Sequence, residues 1–282
     1  MYISNHDLDR GHLPEALWII EKNADIGGGR ISFEDIDRLA EYPRAEAVAI
    51  SGLRQDTFEY FIRKYGAQFK AISFHKNKLV EDWSLLGTLP NLEYVLWFVN
   101  HRIRTLWDMK ENKALKGLHI SDFSRLTSLD GIEAATSLRQ FWIGNAIWLT
   151  MEIESLMPLA GLPLTYLGFF CKRVRDGDLS FFPALDKLQC FDCALNAFST
   201  EQFAWIAANC PGATGRALQA KEDFDYTWAD EPGPGTSIVG KRKPTLLYKG
   251  NEERIQRYVD AFERLKAGYQ GVPYRQAFPS KP

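Results

Sequence analysis

The chain contains 282 residues, of which 45% are hydrophobic and 25% charged, and its net charge is −2. This composition is typical of a globular protein, and the near-neutral charge gives no electrostatic case for binding nucleic acid or an anionic membrane. Four cysteines are too few for a disulfide scaffold, and no apolar run approaches the ~20 residues that span a bilayer. Because no secretion signal is evident at the N-terminus, we expect a cytoplasmic protein that does not enter a membrane.

Residues 1–44 are predicted to form a helical N-terminal cap. The segment SFEDIDRLAEYP begins with Ser32 as a candidate N-cap and ends at Pro43, which cannot continue a helix. Between them, apolar residues recur at the spacing of one helical side. The stretch GGGR at 27–30 lacks the GK[ST] that completes a phosphate-binding loop, so we interpret it as a turn before this helix.

Residues 45–211 carry a recurring pattern in which positions one, four and six of each copy are apolar. Positions four and six are two residues apart, so in an extended segment both side chains point to the same side. One such strand cannot bury its apolar side alone, whereas strands placed side by side share a continuous core. The copies start 23 to 26 residues apart, at Ala45, Phe69, Leu92, Leu115, Leu138, Leu164 and Leu188.

This pattern resembles the leucine-rich repeat family, whose units read LxxLxLxxNxL. The segment FKAISFHKNKL at 69–79 carries it apart from the first aromatic residue, with Asn77 at the asparagine position, which Asn100 and Asn196 fill in two other copies. The resemblance implies an α/β solenoid, a right-handed horseshoe with a parallel β-sheet on its concave side, similar to the short repeats of bacterial internalins. The copies that depart from the family carry Leu53, Phe123, Ala146 and Lys172 at the asparagine position, so their turns are expected to be less regular.

Residues 212–282 are predicted to form a C-terminal capping segment of mixed α/β structure. The runs SIV at 237–239 and TLLY at 245–248 flank GKRKP, an arrangement that predicts a β-hairpin. The following segment, NEERIQRYVDAFERLKAG, has apolar residues at helical spacing and ends at Gly268, so it predicts an amphipathic helix. We expect this helix to cover the last repeat, which itself ends in a helix capped by Ser199 or Thr200.

The sequence contains only weak signals for catalysis, and we predict a non-enzymatic protein with no cofactor and no bound metal. Cys190 and Cys193 form a CxxC pair, but the strand register places them on opposite sides, and no second pair completes a zinc site. His75 and His119 share one side of the predicted sheet without a carboxylate on the strand between them. The alternative is an enzyme with a pocket between the repeats and the C-terminal segment, in which His119, Asp192 and Cys190 are the candidates.

The strand side chains that point away from the core are predicted to form an aromatic surface on the concave side. Adjacent strands lie about 4.8 Å apart, so these residues adjoin across several strands. A contiguous apolar surface marks an interaction site, and Trp and Tyr dominate binding hot spots. We therefore predict that the protein binds a protein partner here; the alternative is that the C-terminal segment covers the surface with Phe224, Tyr226 and Trp228, which leaves it a purely structural role. The predicted binding residues are Tyr94, Leu96, Phe98, His119, Gln140, Trp142, Tyr166 and Phe170. The residues select neither a particular partner nor an oligomeric state.

Overall fold

A computed structural model describes residues 16–19, 30–146, 149–226 and 233–279 of the chain. Its largest element is a parallel sheet of eight strands that lie side by side in their order along the chain. The strands of this sheet are β1 (Ala16–Ile19), β2 (Ala47–Ser51), β3 (Ala71–His75), β4 (Tyr94–Asn100), β5 (Gly117–Phe123), β6 (Gln140–Gly144), β8 (Tyr166–Phe170) and β10 (Cys190–Cys193). Two short strands, β7 (Glu152–Ile153) and β9 (Arg173–Val174), form a separate parallel ribbon. An antiparallel sheet is built from β11 (Lys221–Tyr226), β12 (Gly233–Ile238) and β13 (Thr245–Leu247).

Five α-helices occur within the described ranges, and none of them is long and apolar enough to cross a membrane. The helices are α1 (Phe33–Asp37), α2 (Gln55–Tyr65), α3 (Thr200–Asn209), α4 (Glu252–Tyr269) and α5 (Tyr274–Ala277). Capping boxes begin two of them: the Ser32 side chain accepts a hydrogen bond from Asp35 N before α1, and the Ser199 side chain does so from Gln202 N before α3. Such reciprocal bonds satisfy backbone N–H groups that a helix start leaves unpaired.

The predicted fold class, a right-handed leucine-rich repeat horseshoe, is wrong. The structure is an α/β fold that joins the parallel sheet to a separate antiparallel sheet and five helices in the described part of the chain, and this layout does not show a repeat solenoid. The connections differ in kind, because the 11-residue helix α2 follows β2 and the 10-residue helix α3 follows β10, whereas short 3₁₀ turns follow several of the strands between them. A regular spacing of apolar residues therefore predicts the strands, but it does not require that the segments connecting them have the same structure. The predicted helical cap at 1–44 also contains β1, which extends the parallel sheet beside β2.

The apolar positions of the sequence pattern fill the core on one face of the parallel sheet. Leu118 pairs with Phe141 and Ile120 with Ile143 across β5 and β6, and these side chains are at most 2% exposed. The strand alternation predicted for these copies is therefore confirmed. Towards the N-terminus the core becomes aromatic, with the rings of Phe74 and Trp97 stacked at 4.2 Å. The domain boundaries after residues 44 and 211 stay predictions, and residues 27–29 of the GGGR turn lie outside the described ranges.

Buried asparagines hold the turns that follow several strands. The Asn77 side chain accepts a hydrogen bond from Leu53 N and donates one to the Ile50 carbonyl. Asn100 makes four bonds, and at a third turn Asn145, adjacent to the predicted position Ala146, accepts from two backbone N–H groups. Asn196 is different, because its side chain is exposed. The sequence motif therefore marks a buried, bonded asparagine at only some of its matches.

The same turns contain residues in the left-handed backbone region. Gly52, Lys76, Val99 and Asp122 have φ angles of 77°, 54°, 66° and 59°. Glycine adopts such angles at no steric cost and aspartate tolerates them, whereas a β-branched residue is strained there. Val99 therefore stores backbone strain at the end of β4, directly after Phe98 of the predicted binding surface.

Replacing Val99 with asparagine is expected to raise the free energy of unfolding by about 1 kcal/mol, because asparagine tolerates a positive φ. Gly52→Ala is the matched control, and it should lower that free energy by about 1 kcal/mol, since alanine is strained at φ 77°. Urea denaturation at equilibrium measures both changes. A V99N variant that is less stable than the wild type contradicts the assignment of strain to Val99.

The C-terminal helix packs on the helix that follows the last strand of the parallel sheet. Helix α4 packs on α3, and its Phe262 is 1% exposed within the main core. The Trp205 indole donates a 2.7 Å hydrogen bond to the Val272 carbonyl, and the Tyr274 hydroxyl donates one of 2.7 Å to the Gly177 carbonyl. The hairpin predicted around GKRKP is also present, with β12 and β13 antiparallel. The two hydrogen bonds attach the end of the chain to α3 and to the turn at Gly177.

Candidate functional site

The second face of the parallel sheet carries the residues that the sequence predicts to bind a partner. We use the name aromatic face for its partly exposed side chains, which are Tyr94, Phe98, His119, Gln140, Trp142, Tyr166 and Phe170. Leu96 belongs to the same sheet face but has 0% exposure, because it packs with Ala47 and Ala71 in a small cluster. Leu96 therefore offers no surface to a partner, and the other seven predicted residues do.

Three rings of the aromatic face, those of His119, Trp142 and Phe170, form what we call the ring stack. The His119 and Trp142 ring centroids are 4.2 Å apart with an angle of 11° between the planes. Trp142 and Phe170 follow at 5.6 Å and 18°. Near-parallel stacking of neighbouring rings is a favourable arrangement worth about 0.5–1.5 kcal/mol per aromatic pair. The stack holds the Trp142 indole in place, so binding at this ring costs little side-chain entropy.

A glycine on the neighbouring strand makes room for the ring stack. Gly168 pairs with Trp142 across β6 and β8, and the indole lies over it. A Cβ atom built on Gly168 would lie 2.2 Å from Cδ1 of Trp142, and the three atoms nearest to it would all belong to the Trp142 indole. Gly168 is not in the left-handed region, so its backbone does not require glycine. The space under the indole is the physical reason for glycine at this position.

An arginine closes the C-terminal end of the ring stack. The Arg216 guanidinium lies 5.9 Å from the Phe170 ring centroid, and its Nε and Nη1 lie 3.3 Å and 3.5 Å from carboxylate oxygens of Asp192 and Glu222. Burial raises the pKa of Asp192 above its usual range, an effect that Arg216 opposes and Glu222 reinforces. This end of the aromatic face therefore combines a ring, a cation and two acidic groups.

The residues proposed for the enzymatic alternative do not meet. His119 lies on β5 and Asp192 on β10, three strand spacings away, which corresponds to about 14 Å. Cys190 lies on β10 two residues before Asp192, out of register with His119, while Cys193 points into the core, where burial raises the pKa of its thiol. In the described part of the chain no group of three metal-ligating side chains comes together. A His–Asp–Cys constellation is thus not formed by these three residues.

Cover of the aromatic face by the C-terminal segment stays an open alternative. Phe224 lies against Gly235 of its own antiparallel sheet, since a Cβ on that glycine would be 3.0 Å from the Phe224 ring. Trp228 and the side chain of Tyr226 lie outside what the structure describes.

Sequence reasoning missed Gly168 and Arg216, which complete the site. For Gly168 the signal was available, because a glycine inside a predicted strand indicates a close approach of another group. Arg216 lies outside the repeated pattern, in a 3₁₀ turn (Arg216–Leu218) whose place beside β10 depends on the tertiary fold. No periodicity in the sequence could have assigned it to the aromatic face.

Comparison of the sequence with models of protein families gives no match, and neither does comparison with curated proteins. The resemblance to leucine-rich repeats therefore gains no support from these comparisons and stays a likeness of motif. The geometry of the aromatic face is therefore the basis for inferring a function.

Proposed function

We propose that the protein is a non-enzymatic binding protein that recognises a protein partner through its aromatic face. The observation that carries this proposal is the ring stack of His119, Trp142 and Phe170, three partly exposed rings held nearly parallel on a rigid sheet. Fixed aromatic side chains bury a large area at low entropic cost, which is why they dominate binding hot spots.

The surroundings of the ring stack resemble the composition of protein interfaces. Tyr94 and Phe98 extend the apolar surface across β4, and Tyr166 extends it across β8. Gln140 and Asp192 provide polar groups at its border. A centre of aromatic residues with a polar rim is the usual arrangement of a protein–protein interface.

The proposed location is the cytoplasm. In the described ranges all four cysteines are free thiols, which suits a reducing compartment. Three of them, Cys171, Cys193 and Cys210, are buried, so they contribute to packing.

Replacing Trp142 with alanine tests the proposal. If Trp142 is a hot spot, W142A should weaken binding to the partner about 30-fold, equivalent to about 2 kcal/mol, while the fold is retained. The partner is first isolated from the native host with the wild-type protein, and dissociation constants are then measured by calorimetry with purified components.

Tyr42→Ala is the matched control, because Tyr42 is a 45% exposed aromatic residue in the turn before β2 and does not belong to the aromatic face. The Y42A variant should bind like the wild type. Equal affinities of W142A and wild type for a directly bound partner would refute the aromatic face as the binding site.

A further inference from the structure

The C-terminal end of the aromatic face contains a place that already holds a guanidinium group. Arg216 lies over the Phe170 ring at 5.9 Å while its nitrogens approach oxygens of Asp192 and Glu222. A flat cation between an aromatic ring and carboxylates is the arrangement by which proteins bind arginine side chains. The surface is therefore shaped and charged for a guanidinium, whichever chain supplies it.

The two ion pairs of Arg216 are weak, and their side chains are partly exposed to solvent. The side chain of Arg216 is 42% exposed, and those of Asp192 and Glu222 are 35% and 34% exposed. Ion pairs at such exposure contribute little, because water solvates each partner and salt screens the attraction. Arg216 can thus leave this place at small cost to the fold.

The charge near this place is negative even with Arg216 present. Asp192 and Glu222 carry two negative charges and Arg216 carries one positive charge, a sum of −1. Lys221, the neighbour of Glu222 in β11, bonds Asp223 and the Tyr248 hydroxyl within the antiparallel sheet. A complementary partner therefore presents a basic surface here, and an acidic one is repelled.

We propose, resting on the function proposed above, that the partner is a basic protein. One of its arginine side chains takes the place of Arg216 over Phe170, between Asp192 and Glu222. Arginine is favoured over lysine because its planar guanidinium can stack on the ring and bond two carboxylates together. Arg216 then acts as an internal occupant that keeps the acidic pair neutralised until the partner binds.

A fluorescently labelled hexa-arginine peptide, with hexalysine and hexaglutamate as comparison peptides, tests the proposal by anisotropy titration at two salt concentrations. The wild type should bind hexa-arginine more tightly than hexalysine and should not bind hexaglutamate. Asp192→Asn and Glu222→Gln should each weaken binding of hexa-arginine about five- to ten-fold. Asp186→Asn removes the same charge at an exposed turn outside the site and should leave the affinity unchanged.

The decisive variant is Arg216→Ala, which should bind hexa-arginine about ten-fold more tightly because the internal occupant is gone. Arg216→Gln repeats the test with a side chain of similar length, and circular dichroism checks that both variants fold. Unchanged or weaker binding by R216A and R216Q, or an equal loss in D186N and D192N, overturns the proposal.

The proposed binding function and the proposal of a basic partner can be refuted independently. A native partner whose binding is lost in W142A but is unaffected by D192N and E222Q leaves the binding function in place and removes the basic partner. Native binding that survives W142A removes the function of the aromatic face, whatever the peptide titration shows.

Discussion

Replacing Asn100 with alanine is expected to lower the free energy of unfolding by about 3–5 kcal/mol, a large loss for a single polar side chain. The amide nitrogen of Asn100 donates to the carbonyls of Asn77 and Val80, at 2.9 Å and 3.0 Å. Its oxygen accepts from the backbone N–H groups of Arg102 and Ile103, both at 2.8 Å. Asn100 is 1% exposed, so water cannot replace these bonds once the side chain is removed.

Asn196→Ala is the matched control, because Asn196 occupies the same position of the sequence motif but is exposed. It should change the free energy of unfolding by no more than about 0.5 kcal/mol, the usual range for a surface substitution. Chemical denaturation followed by tryptophan fluorescence measures both variants. A loss in N100A within 1 kcal/mol of the loss in N196A would show that the turn is not held by this side chain.

The strands could be predicted from the sequence because their signal is local and repeated. Phe141 and Ile143 must share a side with Leu118 and Ile120, since a slip by one residue would expose all of them. The same alternation correctly left Trp142 on the other face, partly exposed. What the pattern could not give is the layout of the connections, and for that reason the horseshoe prediction failed.

Helix α2 has a local sequence signal that the sequence analysis does not include. Phe58, Phe61 and Ile62 stand at helical spacing and are all buried, and Thr57 completes a capping interaction with the Arg54 backbone. In the sequence this segment lies between two copies of the strand pattern, in the position of a connection. The antiparallel sheet was predicted only in part, because the residues around GKRKP indicate the β12–β13 hairpin whereas the strand β11 was not predicted.

The aromatic face was predicted as a set of residues, but its geometry depends on contacts between strands. Alternation shows that Trp142 and Phe170 lie on one face, yet not that their rings stack. That arrangement requires the empty space at Gly168, and Arg216 reaches Phe170 only because the turn at 216–218 folds beside β10. Such packing depends on how the shapes of neighbouring side chains fit together, and the pattern of residues in a single sequence does not specify that fit.

Replacing Gly168 with valine is expected to weaken binding of the native partner about 100-fold, equivalent to about 3 kcal/mol, which is more than the loss of Trp142 alone. A Cβ at this position would lie 2.2 Å from Cδ1 of Trp142, so the indole must leave its place between His119 and Phe170. The displaced ring both dismantles the ring stack and obstructs the surface that remains. The strand itself should not suffer, because valine favours extended backbone and the three atoms nearest to a Cβ at this position all belong to the Trp142 side chain.

The double variant W142A/G168V separates this mechanism from a general effect on the sheet. If valine acts by displacing the indole, G168V should have little further effect on affinity in a W142A background, since interacting substitutions are not additive. Near-UV circular dichroism should report the changed environment of Trp142 in G168V, while the free energy of unfolding stays within about 1 kcal/mol of the wild type. Additive losses of affinity in the double variant would place the effect of Gly168 elsewhere than under the Trp142 ring.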